Sequence, residues 1–130
     1  MNTLIVIPCL NEEKNIERLV RQLSYNNKEQ GIKIVVVDGD STDGTKKVIK
    51  SLSEKHKEVF YLHNPKRLQS AAINLAVEQF GGDTEFIIRV DAHAEYPNNY
   101  CRLLIEEAER TKADSVVVSM ETRGITKFQK

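Results

Sequence analysis

Ile34-Val35-Val36-Val37-Asp38-Gly39-Asp40-Ser41-Thr42-Asp43-Gly44-Thr45 changes character twice within one short stretch. The four β-branched residues at its start read as a strand covered on both faces, because a strand with one wet face would alternate apolar and polar residues. Asp38-Gly39-Asp40 breaks that run. Ser41, Thr42 and Asp43 then offer side-chain oxygens of the kind that cap the unpaired N–H groups of a helix start. Beyond them Thr45, Val48, Ile49 and Leu52 recur at a spacing of three and four, which predicts an amphipathic helix. Buried strand, acidic turn and helix in that order form half of a parallel βαβ unit.

The same alternation extends in both directions. Apolar runs at Leu4-Ile5-Val6-Ile7, Phe60-Tyr61-Leu62, Phe86-Ile87-Ile88 and Ser115-Val116-Val117-Val118 predict four more buried strands. Between them lie Ile16, Leu19, Val20 and Leu23, then Leu68, Ala71, Ala72 and Leu75, at helical spacing, with a weaker stripe at Leu103, Leu104 and Ala108. Asn11 with Glu12 and Glu13 reads as an N-cap with acid in the first turn. Gly31 reads as the end of the first helical region, and Gly81-Gly82 as the stop before the fourth strand. The expectation is an α/β fold, strand and helix repeated four times and closed by a fifth strand, in one unit over residues 1–130. The tail from Met120 to Lys130 breaks the rhythm with neither cap nor stop, where the next connection would begin, so the chain is expected to belong to something longer.

Bulk composition narrows the partners. Nineteen Lys and Arg balance nineteen Asp and Glu among 130 residues, which leaves no overall field to recruit nucleic acid or an anionic membrane. Residues that are 40% hydrophobic, 29% charged and 6% aromatic describe an ordinary globular chain rather than a disordered one. Met1-Asn2-Thr3 lacks a cationic leader, and no window approaches the roughly 20 apolar residues of a membrane span. Cys9 and Cys101 are far apart and belong to no C-x-x-C pair. They are expected to be reduced thiols in a cytoplasmic setting.

In an open parallel sheet, ligands bind beyond the carboxyl ends of the strands, and here those ends are polar. Asp91 and His93 flank one residue, and in extended backbone that spacing puts both donors on one side, where they could hold a divalent cation or simply form a solvated acidic turn. Asp38 could accept from an imide N–H, while Asp40 to Asp43 could do no more than cap the helix. Lys66 and Arg67 could meet phosphate oxygens or be a surface pair. Neither G-x-G-x-x-G nor G-x-x-x-x-G-K-[ST] occurs, which disfavours dinucleotide oxidoreductases and P-loop nucleotidases.

Val6-Ile7-Pro8-Cys9-Leu10-Asn11-Glu12-Glu13 together with Val36-Val37-Asp38-Gly39-Asp40-Ser41-Thr42-Asp43-Gly44-Thr45 resembles the opening of family 2 glycosyltransferases of the GT-A fold. Asn64-Pro65-Lys66-Arg67, Ser70-Ala71-Ala72-Ile73-Asn74 and Val90-Asp91-Ala92-His93-Ala94-Glu95-Tyr96-Pro97 resemble the subgroup related to succinoglycan biosynthesis. The resemblance implies a mainly parallel, Rossmann-like sheet with helices on both faces. It implies that Pro8, Asn11 and Glu12 line a nucleoside pocket, that Asp38 contacts the base, and that Lys66, Arg67, Ser70 and Asn74 border a diphosphate. Asp91 and His93 then take the D-x-D position, which in the family binds Mg2+ or Mn2+.

Two departures stand out, since His93 replaces the usual second Asp and the usual D-D-G-S run is Asp38-Gly39-Asp40-Ser41. The implied partners are a nucleoside-diphosphate sugar, with UDP favoured, and a saccharide or lipid-linked saccharide acceptor. The implied reaction is transfer with inversion in polysaccharide biosynthesis, at the inner face of a membrane if the parent is anchored there. The catalytic base is expected beyond residue 130, so this chain is expected to bind donor with little transfer. Two other readings compete: a sugar-nucleotide pyrophosphorylase, whose glycine-rich loop is replaced by Asn11-Glu12-Glu13, and a noncatalytic α/β binding module.

Overall fold

The computed structural model describes residues 2–27, 31–66, 69–82, 84–111, 117–121 and 124–129. The chain divides into two compact units, Met1–His93 and Ala94–Lys130. In the first, strands β1 (Asn2–Cys9), β2 (Gly31–Asp38), β3 (Val59–His63) and β4 (Phe86–Arg89) alternate with helices α1 (Ile16–Asn26), α2 (Thr45–Lys55) and α3 (Gln69–Phe80). All four strands are parallel, in the order β3-β2-β1-β4.

That order explains how the helices distribute. The chain steps outward from β1 to β2 to β3, then returns past β1 to place β4 on the other edge. Parallel crossovers are right-handed, so reversing the direction of travel sends the last helix to the opposite face. Leu4, Val6, Val35 and Val37 accordingly pack with Ala72 and Ala76 of α3, with Phe60, Leu62 and Phe80 around them. On the other face α2 lies beside β3, where Lys46 Nζ and Lys50 Nζ stand 6.0 and 5.3 Å from the centre of the Tyr61 ring.

Ile34, Val35, Val36 and Val37 are each at most 1% exposed, as expected of a strand sandwiched between helix layers. Ile16, Leu19, Val20 and Leu23 of α1 are buried too. Each such side chain contributes about 1.5–3 kcal/mol on leaving water. The helices on both faces and the parallel sheet thus match the expected fold class.

Four local expectations are corrected. Asn11 does not cap a helix: it turns in the left-handed region at φ 54°, and α1 begins only at Ile16. Gly31 opens β2 instead of closing a helix, because it is already paired with Asn2 of β1. The fifth strand does not extend the parallel sheet. Ser115 and Val116 lie outside the described residues, and β5 (Val117–Glu121) pairs antiparallel with β6 (Gly124–Gln129) inside the second unit. The tail that was expected to start a new connection therefore supplies a partner strand, since a run of suitable β residues just across a short turn pairs more readily than a distant one.

The second unit also holds α4 (Tyr100–Thr111), which buries Tyr100, Cys101, Leu104 and Ile105. Leu103 and Ala108 of the expected stripe are only half-buried, so the buried face is rotated towards Cys101 and Ile105. Tyr96 and Tyr100 pack with their rings tilted by 52° and 4.5 Å between centroids. In α3 the backbone N–H of Gly81 bonds the carbonyl of Val77 at 2.9 Å, which closes the helix where Gly81-Gly82 was expected to.

Candidate functional site

The point where strand order reverses lies between β1 and β4, and two loops diverging from adjacent strand ends leave a crevice there. That crevice, of about 280 Å³, is lined by Pro8, Cys9, Leu10 and Glu12 after β1, by Asp91, Ala92 and His93 after β4, and by Val37, Gly39, Asn64 and Ala72. All four strands contribute. Of the residues expected to form a site, Pro8, Glu12, Asp91 and His93 are brought together here.

Asn11 and Asp38 serve the walls rather than the lining. Asn11 Oδ1 accepts the backbone N–H groups of Thr42 and Asp43 at 2.8 and 3.3 Å, and its own N–H donates to Ser41 Oγ at 2.9 Å. Asp38 is 1% exposed; its Oδ1 accepts the N–H of Ser41 at 3.0 Å and also the Ser41 hydroxyl, and its Oδ2 accepts the Tyr61 hydroxyl at 3.2 Å. The Tyr61 phenol is pushed up to about 12, by burial first and then by the Asp38 charge and the hydrogen bond to it. A neutral phenol is what an acceptor carboxylate requires.

The two loops are tied along their length. Glu12 N–H donates to Thr45 Oγ1 at 2.8 Å, and Glu13 N–H to Asp43 Oδ2 at 3.4 Å. Asp43 in turn accepts the N–H and hydroxyl of Thr45, which holds its carboxyl below the usual range. Asp43, with Gly44, thus does the capping work expected of the Ser41-Thr42-Asp43 run.

The remaining expected residues are spread out. Lys66 is exposed in the turn after β3, where its N–H bonds Asn64 Oδ1 at 3.1 Å. Ser70 and Asn74 are exposed on α3 and do not line the crevice. Arg67 lies outside the described residues. Asn64, 2% exposed, and Cys9 were not expected in the lining. Their only signal was position, each standing at a strand end. Cys9 is no nucleophile, because burial, then the charges of Asp38, Glu12 and Asp43, push its thiol up to about 12.

The electrostatics of the crevice favour a cation. Glu12 and Asp91 line it, and Asp38 and Asp43 stand behind it. Asp91 Oδ1 lies 3.7 Å from Arg89 Nη2, with both side chains about half exposed, so this pair is weak and readily exchanged. His93 Nε2 lies 2.7 Å from Glu12 Oε2. Among the described residues no group of three or more His, Cys, Asp and Glu could enclose a metal. One carboxylate and one imidazole on a crevice rim fit an ion whose remaining ligands are water and phosphate oxygens, the habit of Mg2+ and Mn2+.

Comparison with known proteins identifies the family and the fold. The family description Glycosyl transferase family 2 matches residues 4–130. The chain is 47% identical over 129 residues to the succinoglycan biosynthesis protein ExoA of Rhizobium meliloti, a match covering 99% of this chain and 39% of that protein. It is 34% identical over 113 residues to a Methanococcus voltae dolichyl N-acetyl-alpha-D-glucosaminyl phosphate 3-beta-D-2,3-diacetamido-2,3-dideoxy-beta-D-glucuronosyltransferase, covering 85% of this chain and 35% of that one.

The fold resembles that of S. aureus TarS 1-349 in complex with UDP-GlcNAc, with a TM-score of 0.70, 21% identity and coverage of 93% of this chain and 35% of that one. It also resembles the Pyrobaculum calidifontis mannosyltransferase PcManGT in complex with GDP-Man and Mn2+, with a TM-score of 0.69, 23% identity and coverage of 92% and 35%. The chain thus spans well under half the length of these relatives. No helix among the described residues is long and apolar enough to cross a membrane. With a family match running from the first buried strand to the last residue, and a curated relative nearly half identical throughout, the chain belongs to the family 2 glycosyltransferases.

Proposed function

We propose that the crevice between the ends of β1 and β4 binds the nucleoside diphosphate of a sugar donor, UDP-linked by preference, with a divalent cation at Asp91 and His93. The observation that carries this reading is the acidity of a crevice at the sheet's switch point: Glu12 and Asp91 line it, with Asp38 and Asp43 behind. A bare diphosphate would be repelled there, whereas a cation turns the same carboxylates into an anchor. Relatives in fold are known with UDP-GlcNAc and with GDP-Man and Mn2+, which supports a nucleotide sugar as the ligand class.

Asp91 and His93 would hold Mg2+ or Mn2+, and the bound cation would neutralise charge on the departing diphosphate. The chain's own part is to seat the nucleotide against Pro8 and the walls built by Asn11 and Asp38, with Lys66, Arg67, Ser70 and Asn74 on the diphosphate side. For the whole protein we propose transfer of the sugar to an acceptor hydroxyl with inversion, in cytoplasmic assembly of a polysaccharide on a saccharide or lipid-linked acceptor. In such a transfer a carboxylate takes the hydroxyl proton as the oxygen attacks the anomeric carbon. We assign that base to the part of the relatives' length that this chain does not span, so this chain binds donor and transfers little.

Titration calorimetry with UDP and with GDP, each with and without Mn2+, tests the reading. The expected result is binding that needs the metal and is lost in Asp91→Ala. Binding indifferent both to Mn2+ and to that substitution would overturn it.

A further inference from the structure

Glu12 is a carboxylate with almost no water, 4% exposed, at the floor of an otherwise open rim. Its backbone is fixed at both ends: the N–H donates to Thr45 Oγ1 at 2.8 Å, and the carbonyl accepts the N–H groups of Asn15 and Ile16 at 3.0 and 2.9 Å. Both carboxylate oxygens have protein partners, Oε1 receiving Asn15 Nδ2 at 3.2 Å and Oε2 standing 2.7 Å from His93 Nε2. A nitrogen lone pair that close to a carboxylate oxygen would be repelled, so against an ionised Glu12 this separation places the proton on Nε2. In the neutral imidazole the neighbouring ring nitrogen is then the one with a lone pair to offer.

We propose that Glu12 is a positioning residue for His93, pinning Nε2–H so that Nδ1 is the nitrogen presented to a cation. The inference rests on the donor-binding reading above and moves Glu12 from the nucleoside pocket to a support behind the metal ligand. A buried acceptor of this kind fixes the imidazole tautomer and raises the basicity of the ligating nitrogen. It also accounts for a histidine where a second aspartate is usual, since an imidazole can donate the proton of its second nitrogen to a carboxylate behind it and an ionised aspartate cannot. His93 is 81% exposed, so little else restrains its ring.

The test uses the full chain labelled with 15N, with His93 assigned by comparison with His93→Gln. Long-range 1H–15N correlation on the neutral imidazole reads the tautomer, and electron paramagnetic resonance reads Mn2+ affinity in the presence of UDP. The expected wild-type state is proton on Nε2 and bare Nδ1. Glu12→Ala should mix the tautomers and weaken Mn2+ by about 10- to 100-fold. Glu12→Gln, which keeps shape and an acceptor oxygen, should lose less, and it carries the test if the alanine variant does not fold. Asp91→Ala should lose Mn2+ while keeping the wild-type tautomer.

A wild-type proton on Nδ1, or tautomer and Mn2+ affinity unchanged in both Glu12 variants, overturns the inference and leaves the donor reading standing. An Nε2–H tautomer in a chain that binds no Mn2+ with UDP brings down the donor reading, and the inference with it.

Discussion

Asn11, held at φ 54°, turns its side-chain oxygen onto the backbone N–H of Thr42 at 2.8 Å, so the loop after β1 is tied to the loop after β2 thirty-one residues later. Two features of the residue are used at once, its tolerance of the left-handed region and its short acceptor. Asn11→Ala removes both and should cost about 1–3 kcal/mol, from the lost hydrogen bonds and the strain of a Cβ at positive φ. Asn11→Gly keeps the conformation and should cost only about 1 kcal/mol. Urea unfolding of the two variants separates the contributions, and equal losses would show that the backbone conformation carries no strain.

Thr45 is fully buried; its hydroxyl accepts from Glu12 N–H and donates to Asp43. Thr45→Val preserves shape but leaves the buried Glu12 N–H without its acceptor and removes one of several donors to Asp43, and should destabilise by about 1–3 kcal/mol, while Thr45→Ser should lose less. Asp43 has its carboxyl lowered by that hydroxyl, so the stability it provides is present above the ordinary aspartate range and is lost as pH falls through its lowered value. In Thr45→Val the Asp43 titration followed by carboxyl NMR should move up towards the usual range. An unmoved titration would mean that the hydroxyl is not its cause.

Gly81 and Gly82 close α3 side by side, yet only one of them is tight. A Cβ on Gly81 would come within 2.5 Å of the Val77 carbonyl oxygen, whereas at Gly82 it would meet no described atom within 4 Å. Because a backbone carbonyl cannot swing aside, Gly81→Ala should cost about 1–3 kcal/mol. Gly82→Ala should fall within about 0.5 kcal/mol of wild type. Chemical denaturation of the pair measures this difference, and the reverse order would show that α3 ends differently.

Tyr61, raised to about 12, favours its protonated form when folded. Its contribution is therefore complete below the ordinary tyrosine value of about 10 and is lost as pH rises from there to about 12. Wild-type stability should fall across that window more steeply than that of Tyr61→Phe, which has no phenol to ionise and lacks the bond to Asp38. Parallel pH profiles in the two proteins would contradict the Tyr61–Asp38 contact.

Much of this architecture was readable from residues alone because strand and helix periods are local. Ile34 to Val37 announced a strand covered on both faces, and Ile16, Leu19, Val20 and Leu23 announced the buried stripe of α1. Asn11 misled for a physical reason: capping a helix and turning at positive φ are jobs for the same short polar side chain, and only its partner tells them apart. Gly31 misled likewise, since a glycine can end one element or begin the next.

The site was legible as a set of polar strand ends, and that much the amino-acid sequence determined by itself: four parallel strands carry their loops to one edge whatever the side chains then do. Which loops face each other was decided by the order β3-β2-β1-β4, a property of non-local pairing that no periodicity encodes. The same holds for Glu12 and His93, eighty-one residues apart and 2.7 Å from each other, and for Asp38 and Tyr61 across adjacent strands. Composition and spacing state which groups are present, but only the packed sheet brings a given carboxylate to a given partner, because that pairing is set by the burial of apolar side chains elsewhere in the chain.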